Sequence, residues 1–199
     1  MSPYVIFGLA MLGIVIFSLV VTGNLAANFN DRAKRDMKSA LEPLAEQLGG
    51  EVILDEAKVD GRYNGQITAG QVVPGPGGMG RLFQTTYIEP AGGSSWKAVV
   101  RRPKTEGEEW ERTLDGADRF SATLQDQVYG LLDALLPYPG WFELRYDPEA
   151  GALTLTRAMQ SRRDVPTAER FALYLQTLEQ AGAVNRAAQA DAGVATAPS

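Results

Sequence analysis

Two residue types are missing from this chain of 199 residues: it has no cysteine and no histidine. Without cysteine there can be no disulfide, no iron–sulfur cluster, no thiolate zinc site and no cysteine nucleophile. Without histidine the chain loses the usual ligand of haem, zinc and copper and the commonest general base near neutral pH. Positive charge is also short, with 19 Lys and Arg against 24 Asp and Glu and a net charge of −5. Nucleic-acid binding leans on positive charge, so no nucleic-acid partner is expected at a pI near 4.9.

Charge of either sign is absent before Asp31. Within that stretch Tyr4–Val21, "YVIFGLAMLGIVIFSLVV", is apolar on every side. As a helix it spans roughly 27 Å, close to the hydrocarbon thickness of a bilayer. A cleaved signal peptide would want a basic start, a shorter apolar core and a small-x-small site. Here no Lys or Arg precedes the run, and "VVTGNLAANF" holds no good A-x-A site. The expectation is an uncleaved anchor over 1–23. Arg32, Lys34, Arg35 and Lys38 follow it. By the positive-inside rule they place the N-terminus outside and the rest of the chain in the cytoplasm. The same cluster can touch anionic headgroups at about 1 kcal/mol per cation, although positive-inside bias alone accounts for it.

Beyond the anchor, Met37, Leu41, Leu44 and Leu48 recur at helical spacing. This predicts a juxtamembrane helix over 24–48, kinked or restarted at Pro43 and ended by Gly49-Gly50. The period then changes to two. "EVILDEAKVDGRYNGQITAGQVV" predicts a hairpin turning at Asn64-Gly65, and "RLFQTTYIEP" and "SSWKAVVRRP" predict two further strands. A polar stretch over 104–119 reads as a loop. Ser121 caps a helix with Leu124, Val128, Leu131, Leu132 and Leu135 on one face, and "WFELRYDPEAGALTLTRA" is another hairpin, turning at Asp147–Gly151. A last helix has Pro166 in its first turn, Phe171, Leu175 and Leu178 facing the core and Gly182 at its end. Residues 183–199 are small, polar and low in complexity, which predicts a disordered tail. The expected fold is α+β: one transmembrane helix, then an antiparallel sheet of hairpins over 49–182 packed by two or three amphipathic helices.

Three stretches imitate catalytic motifs. "GPGGMG", 75–80, satisfies the dinucleotide-binding G-x-G-x-x-G. That motif works by aiming glycine amides and a helix N-terminus at phosphate. Here a strand follows, Pro76 removes a donor, and Arg81-Leu82 stands where a P-loop carries Lys-Ser/Thr. A turn between strands accounts for it. "SSWK", 94–97, fits S-x-x-K, but residues three apart on a strand point to opposite faces. Glu106, Glu108, Glu109 and Glu111, with Asp115 and Asp118, lack the spacing of a calcium loop and are interrupted by Trp110. They read as a solvated loop or a contact for a basic partner. No catalytic residue, metal ligand, cofactor or small-molecule substrate is expected.

Two features suit protein contact. "LPYPGWF", 136–142, concentrates Tyr138, Trp141 and Phe142, residues that anchor interfaces as readily as they fill core corners. Arg101 and Arg102, near Lys104, face an acidic partner on this reading. The pattern "LAEQLGGEV" followed by "DGRYNGQI" resembles one in uncharacterised, membrane-anchored bacterial proteins. That resemblance implies the same architecture, a leucine-rich helix running through paired glycines into a hairpin, and brings no catalytic residues with it. The functional expectation is a non-catalytic, single-pass accessory subunit of a larger membrane complex, respiratory or photosynthetic reaction-centre–antenna in type. The alternative is a tethered adaptor or sensor for a soluble protein or lipid.

Overall fold

The computed structural model describes residues 2–78, 80–89, 93–101, 109–116, 120–135, 141–161 and 164–195. They form two compact units, Met1–Ser39 and Ala40–Ser199. The first unit is helical from Pro3 onward, as part of α1 (Pro3–Leu48). Many of its described apolar side chains are not packed. Tyr4, Phe7, Met11, Ile14, Phe17 and Val20 are all exposed. The helix is long and apolar enough to cross a membrane, with a mean hydropathy of 1.8 over eighteen residues. It does not restart at Pro43 but runs through it. Pro43 has no N–H to offer the carbonyl of Ser39, the residue at which the two units divide.

The second unit is α+β. Its strands are β1 (Glu51–Ile53), β2 (Lys58–Tyr63), β3 (Gln66–Pro74), β4 (Arg81–Ile88), β5 (Trp96–Arg101), β6 (Glu111–Asp115), β7 (Trp141–Asp147) and β8 (Ala152–Met159). They form one antiparallel sheet in the order β1-β2-β3-β4-β8-β7-β5-β6. The first four strands are a meander and β5–β6 is a separate hairpin at the far edge. The β7–β8 hairpin slots between them and joins the halves. Helices α2 (Ala122–Asp133) and α3 (Ala168–Ala195) complete the unit.

Local chemistry sets the turns. Asn64 (φ 48°) and Gly65 (φ 85°) make the positive-φ pair that a two-residue hairpin needs. Asp147 Oδ1 accepts from the amides of Glu149 (3.0 Å) and Ala150 (3.3 Å), folding the β7–β8 turn. Ser121 Oγ caps α2 by accepting from the Leu124 amide at 3.4 Å. At the end of α1 the Gly49 and Gly50 amides donate back to the carbonyls of Glu46 (3.1 Å) and Ala45 (3.0 Å), closing the helix as a Schellman motif. The backbones then meet directly. A Cβ on Gly50 would lie 1.8 Å from the Asp60 carbonyl oxygen, and one on Gly61 would lie 2.5 Å from Leu48 Cβ. The glycines of "LGG" and "DG" are therefore two sides of one contact.

One sheet face is covered. Val59, Phe83, Trp96, Val100, Phe142, Leu144 and Leu155 are buried beneath Leu41, Leu44 and Leu48 of α1, Leu124, Val128 and Leu132 of α2, and Phe171, Leu175 and Leu178 of α3. Edge-to-face pairs lock the layers: Phe83 with Phe171 (6.1 Å), Phe142 with Tyr174 (6.2 Å) and Trp96 with Phe120 (5.5 Å). Leu131 lies at the margin, only half-buried.

Four expectations need correction. The polar stretch 104–119 contains β6, held at the sheet edge by pairing with β5. Arg112 also reaches Asp133 of α2 at 3.0 Å. Pro166 precedes the final helix instead of entering it. Thr167 supplies the cap, its Oγ1 accepting from the Arg170 amide at 3.4 Å. Gly182 does not end that helix, and the tail is not disordered up to Ala195, because α3 continues through both. Gly182 instead gives room to a buried acid, since a Cβ there would come within 2.8 Å of Glu89 Oε2. Glu89 in turn binds Arg186 at 2.6 Å, a bond that raises the guanidinium pKa further above its ordinary value. Trp96 Nε1 donates to Asn185 Oδ1 at 3.0 Å inside the core, and Asn64 Nδ2 donates to Glu179 at 2.8 Å.

Two stability measurements follow. Gly50→Ala should cost about 1–3 kcal/mol or more in chemical denaturation, because the added methyl meets backbone that cannot yield. Gly49→Ala faces open space and should cost only about 1 kcal/mol, for the left-handed conformation. Deleting residues 183–199 should lower the thermal midpoint, because Trp96 is left with a buried donor worth about 1–3 kcal/mol. A silent deletion would show that the tail packs on nothing.

Candidate functional site

Side chains alternate along a strand, so the eight strands also present a second face. Among the described residues no helix packs on it. Along its central strands it is mostly polar, with Gln84 and Thr86 from β4, Thr154 and Thr156 from β8, and Glu143 and Arg145 from β7. At one corner it becomes concave. Lys97, Val99 and Arg101 of β5, Glu111 and Thr113 of β6, Trp141 and Glu143 of β7, and Pro76 from the β3–β4 connection line a cavity of about 320 Å³.

Register builds this corner. Arg101 lies opposite Trp141 on one side and Glu111 on the other, and Val99 lies between Glu143 and Thr113. Lys97 pairs with Asp115 at 3.1 Å, which fixes its ammonium at the rim. Arg101 is exposed and forms no ion pair among the described residues. Trp141 is half-buried, so its ring offers apolar area without being sealed into the core.

The sequence reading named Trp141 and Arg101, and the sheet brings them together. Phe142, the next residue, points the other way and is fully buried against Tyr174. It is a core residue and cannot meet a partner. Burial also pushes the Tyr174 hydroxyl above its ordinary pKa. Tyr138 and Arg102 lie outside the described residues, as do Lys104, Glu106, Glu108 and Asp118. Lys97, Val99, Thr113 and Glu143 were missed. Their only signal was period-two alternation, and the β6 half of it was masked by a run of charge.

The cavity is at the small end of the range for ligand pockets, about 300–1,000 Å³. Its mixed rim of two cations and two acids around a tryptophan suits a protein anchor, an aromatic or Arg side chain. Among the described residues no group of three or more acids is arranged to hold a metal ion. Glu111 and Asp115 stand on either side of Thr113 along β6. The glycine-rich segment 75–80 is the turn between β3 and β4. Two of its amides are engaged within the turn, Gly75 donating to Gly80 (3.2 Å) and Gly78 to Gly75 (3.0 Å), and a strand follows it where a phosphate site would need a helix N-terminus. Ser94 precedes β5 and Lys97 lies within it, so the pair does not share a helical turn.

Arg32, Lys34, Arg35 and Lys38 are all exposed on α1. Arg35 Nε donates to the Asp31 carbonyl at 3.3 Å. The helical twist spreads the four around α1, with Lys34 roughly opposite Arg32 and Arg35 between Arg32 and Lys38. Searched against protein-family models, characterised proteins and solved structures, the chain matches none.

The two adjacent aromatics should separate in measurement. Phe142→Ala should lower stability by about 3–5 kcal/mol, the cost of emptying a core site. Trp141→Ala should cost less than half of that. Thermal unfolding of the full chain in detergent, followed by near-ultraviolet circular dichroism, reads both.

Proposed function

We propose that this chain is a non-catalytic, single-pass accessory subunit. On this reading α1 stays in the bacterial cytoplasmic membrane with the N-terminus outside, and the α+β unit meets neighbouring subunits in the cytoplasm. One observation carries it. The chain couples an apolar helix on which, among the described residues, nothing packs to a folded unit whose uncovered sheet face has a tryptophan–arginine corner. A free apolar helix of this length finds its solvent in lipid or in another protein's helices.

The host we propose is a larger energy-transducing complex, respiratory or photosynthetic. Such machines carry small subunits that bind no cofactor, and a chain without histidine offers no imidazole to chlorophyll or haem. Its contribution there is mechanical: the anchor raises its local concentration beside the partner, and the Trp141 corner fixes its orientation.

The corner itself, a half-buried tryptophan beside an exposed arginine on the folded unit, also supports a second reading. A tethered adaptor would use it to hold a soluble protein. The experiment that separates the two is purification from native membranes in mild detergent through a tag at Ser199. An accessory subunit should bring down integral membrane partners in fixed stoichiometry. Trp141→Ala combined with Arg101→Glu should reduce that recovery at least tenfold while the chain stays in the membrane. Recovery of the tagged chain alone overturns both readings, and recovery of soluble proteins only favours the adaptor.

A further inference from the structure

Below its apolar run, α1 carries a groove of about 330 Å³ lined by Leu25, Asn28, Phe29, Arg32 and Arg35. These positions fall at i, i+3, i+4, i+7 and i+10, one stripe of a helix. At about 100° per residue, Arg32 and Arg35 stand roughly 60° apart, Lys38 a further 60° or so beyond Arg35, and Lys34 roughly 160° from Arg32. Of the four cations only the two arginines line the groove. They share it with an amide and two exposed apolar side chains, Leu25 and Phe29.

We infer that this stripe is a binding site for an anionic glycerophospholipid, its phosphate held by Arg32 and Arg35 and its upper acyl chain lying along Phe29 and Leu25. The inference rests on the membrane anchor proposed above and adds a particular ligand to it. Dimensions agree. Leu25 begins one turn beyond the apolar run that ends at Val21. Phe29 precedes Arg32 by about 4.5 Å along the axis and Arg35 by about 9 Å, the depth of a headgroup layer. Charge agrees as well. The groove presents two guanidinium groups, and neither Asp31 nor Asp36 is among its lining residues.

The side chains are also suited chemically. A guanidinium presents a planar fork that matches phosphate bidentately, which a lysine ammonium does not. The hydrogen bond from Arg35 Nε to the Asp31 carbonyl holds that side chain against the helix and leaves its two terminal nitrogens to donate. Arg32 has no hydrogen-bond or ion-pair partner among the described residues. Asn28 adds an amide donor one turn nearer the bilayer. Diffuse attraction between a basic segment and an acidic membrane would not distinguish the arginine pair from the lysine pair; a built site does.

The test uses the full chain reconstituted in vesicles of phosphatidylcholine and phosphatidylglycerol at three to one, with retained lipid counted by native mass spectrometry. Phosphatidylglycerol should be enriched at least fivefold over its share of the mixture. Arg32→Gln with Arg35→Gln should remove the enrichment, and Arg32→Lys with Arg35→Lys should remove most of it despite keeping the charge. Lys34→Gln with Lys38→Gln removes the same charge without altering the groove lining and should leave at least half. Equal losses in the two glutamine pairs, or no enrichment in the parent chain, overturn the site. A photoreactive residue in place of Asn28 should crosslink lipid in native membranes; a protein adduct there instead overturns it too. Flotation with pure phosphatidylcholine vesicles in high salt is scored separately. If the chain does not float, the anchor fails and the site falls with it. If it floats without enrichment, only the site falls.

Discussion

The fold depends on α3 lying across the seam of the sheet. Strands β4 and β8 pair through eight positions, from Arg81 with Met159 to Ile88 with Ala152. That pairing joins the N-terminal meander to the four-strand remainder. Its inner face carries Phe83 and Leu155, flanked by Phe142, and all three leave water because Phe171, Tyr174, Leu175 and Leu178 sit over them. Burial of this kind is non-directional and does not by itself fix where along the sheet a helix stops. Directional bonds do. Gln47 reaches the Ala168 carbonyl at 2.7 Å near one end, and Asn185 and Arg186 take Trp96 and Glu89 near the other. Glu89 is only 8% exposed through its side chain, so its charge would be costly without Arg186.

Because all the helices lie on one side, the opposite face is left to water or to a partner. Polar and charged residues on it keep most of that face compatible with solvent, as antiparallel sheets allow. The corner at Trp141 is different, since a large ring is left half open between Arg101 and Pro76. The first unit repeats the theme: many of the described apolar side chains of α1 are exposed.

Local signals were readable wherever one residue's own backbone preference decided the structure. Asn64-Gly65 specified a tight hairpin, Ser121 a helix start, Gly49 a helix stop, and the change of period from 3.6 to 2 the order of elements. Half of the candidate corner was equally visible, since Trp141 and Arg101 are conspicuous types on an evident strand. Phe142 was indistinguishable from Trp141 by composition. Which of two neighbouring aromatics faces the core is a matter of register, set by which strand lies alongside and on which side the helices pack.

Two elements were misread for the same reason. The stretch around β6 is charged because only an edge strand's pairing with β5 makes it a strand at all, and charge is what an exposed edge carries. The end of α3 has few large apolar residues, so its periodicity is faint. It is helical because Val184, Asn185 and Ala188 fit against Trp96 and its neighbours, and small residues let a helix approach closely. The sequence alone determined the apolar N-terminal helix, the absence of histidine and cysteine chemistry, and the α+β order, because composition and local dihedral preference suffice for those. Which face is covered, where the last helix stops and which side chains share a corner were decided by tertiary contact alone, because each depends on residues far apart in the chain.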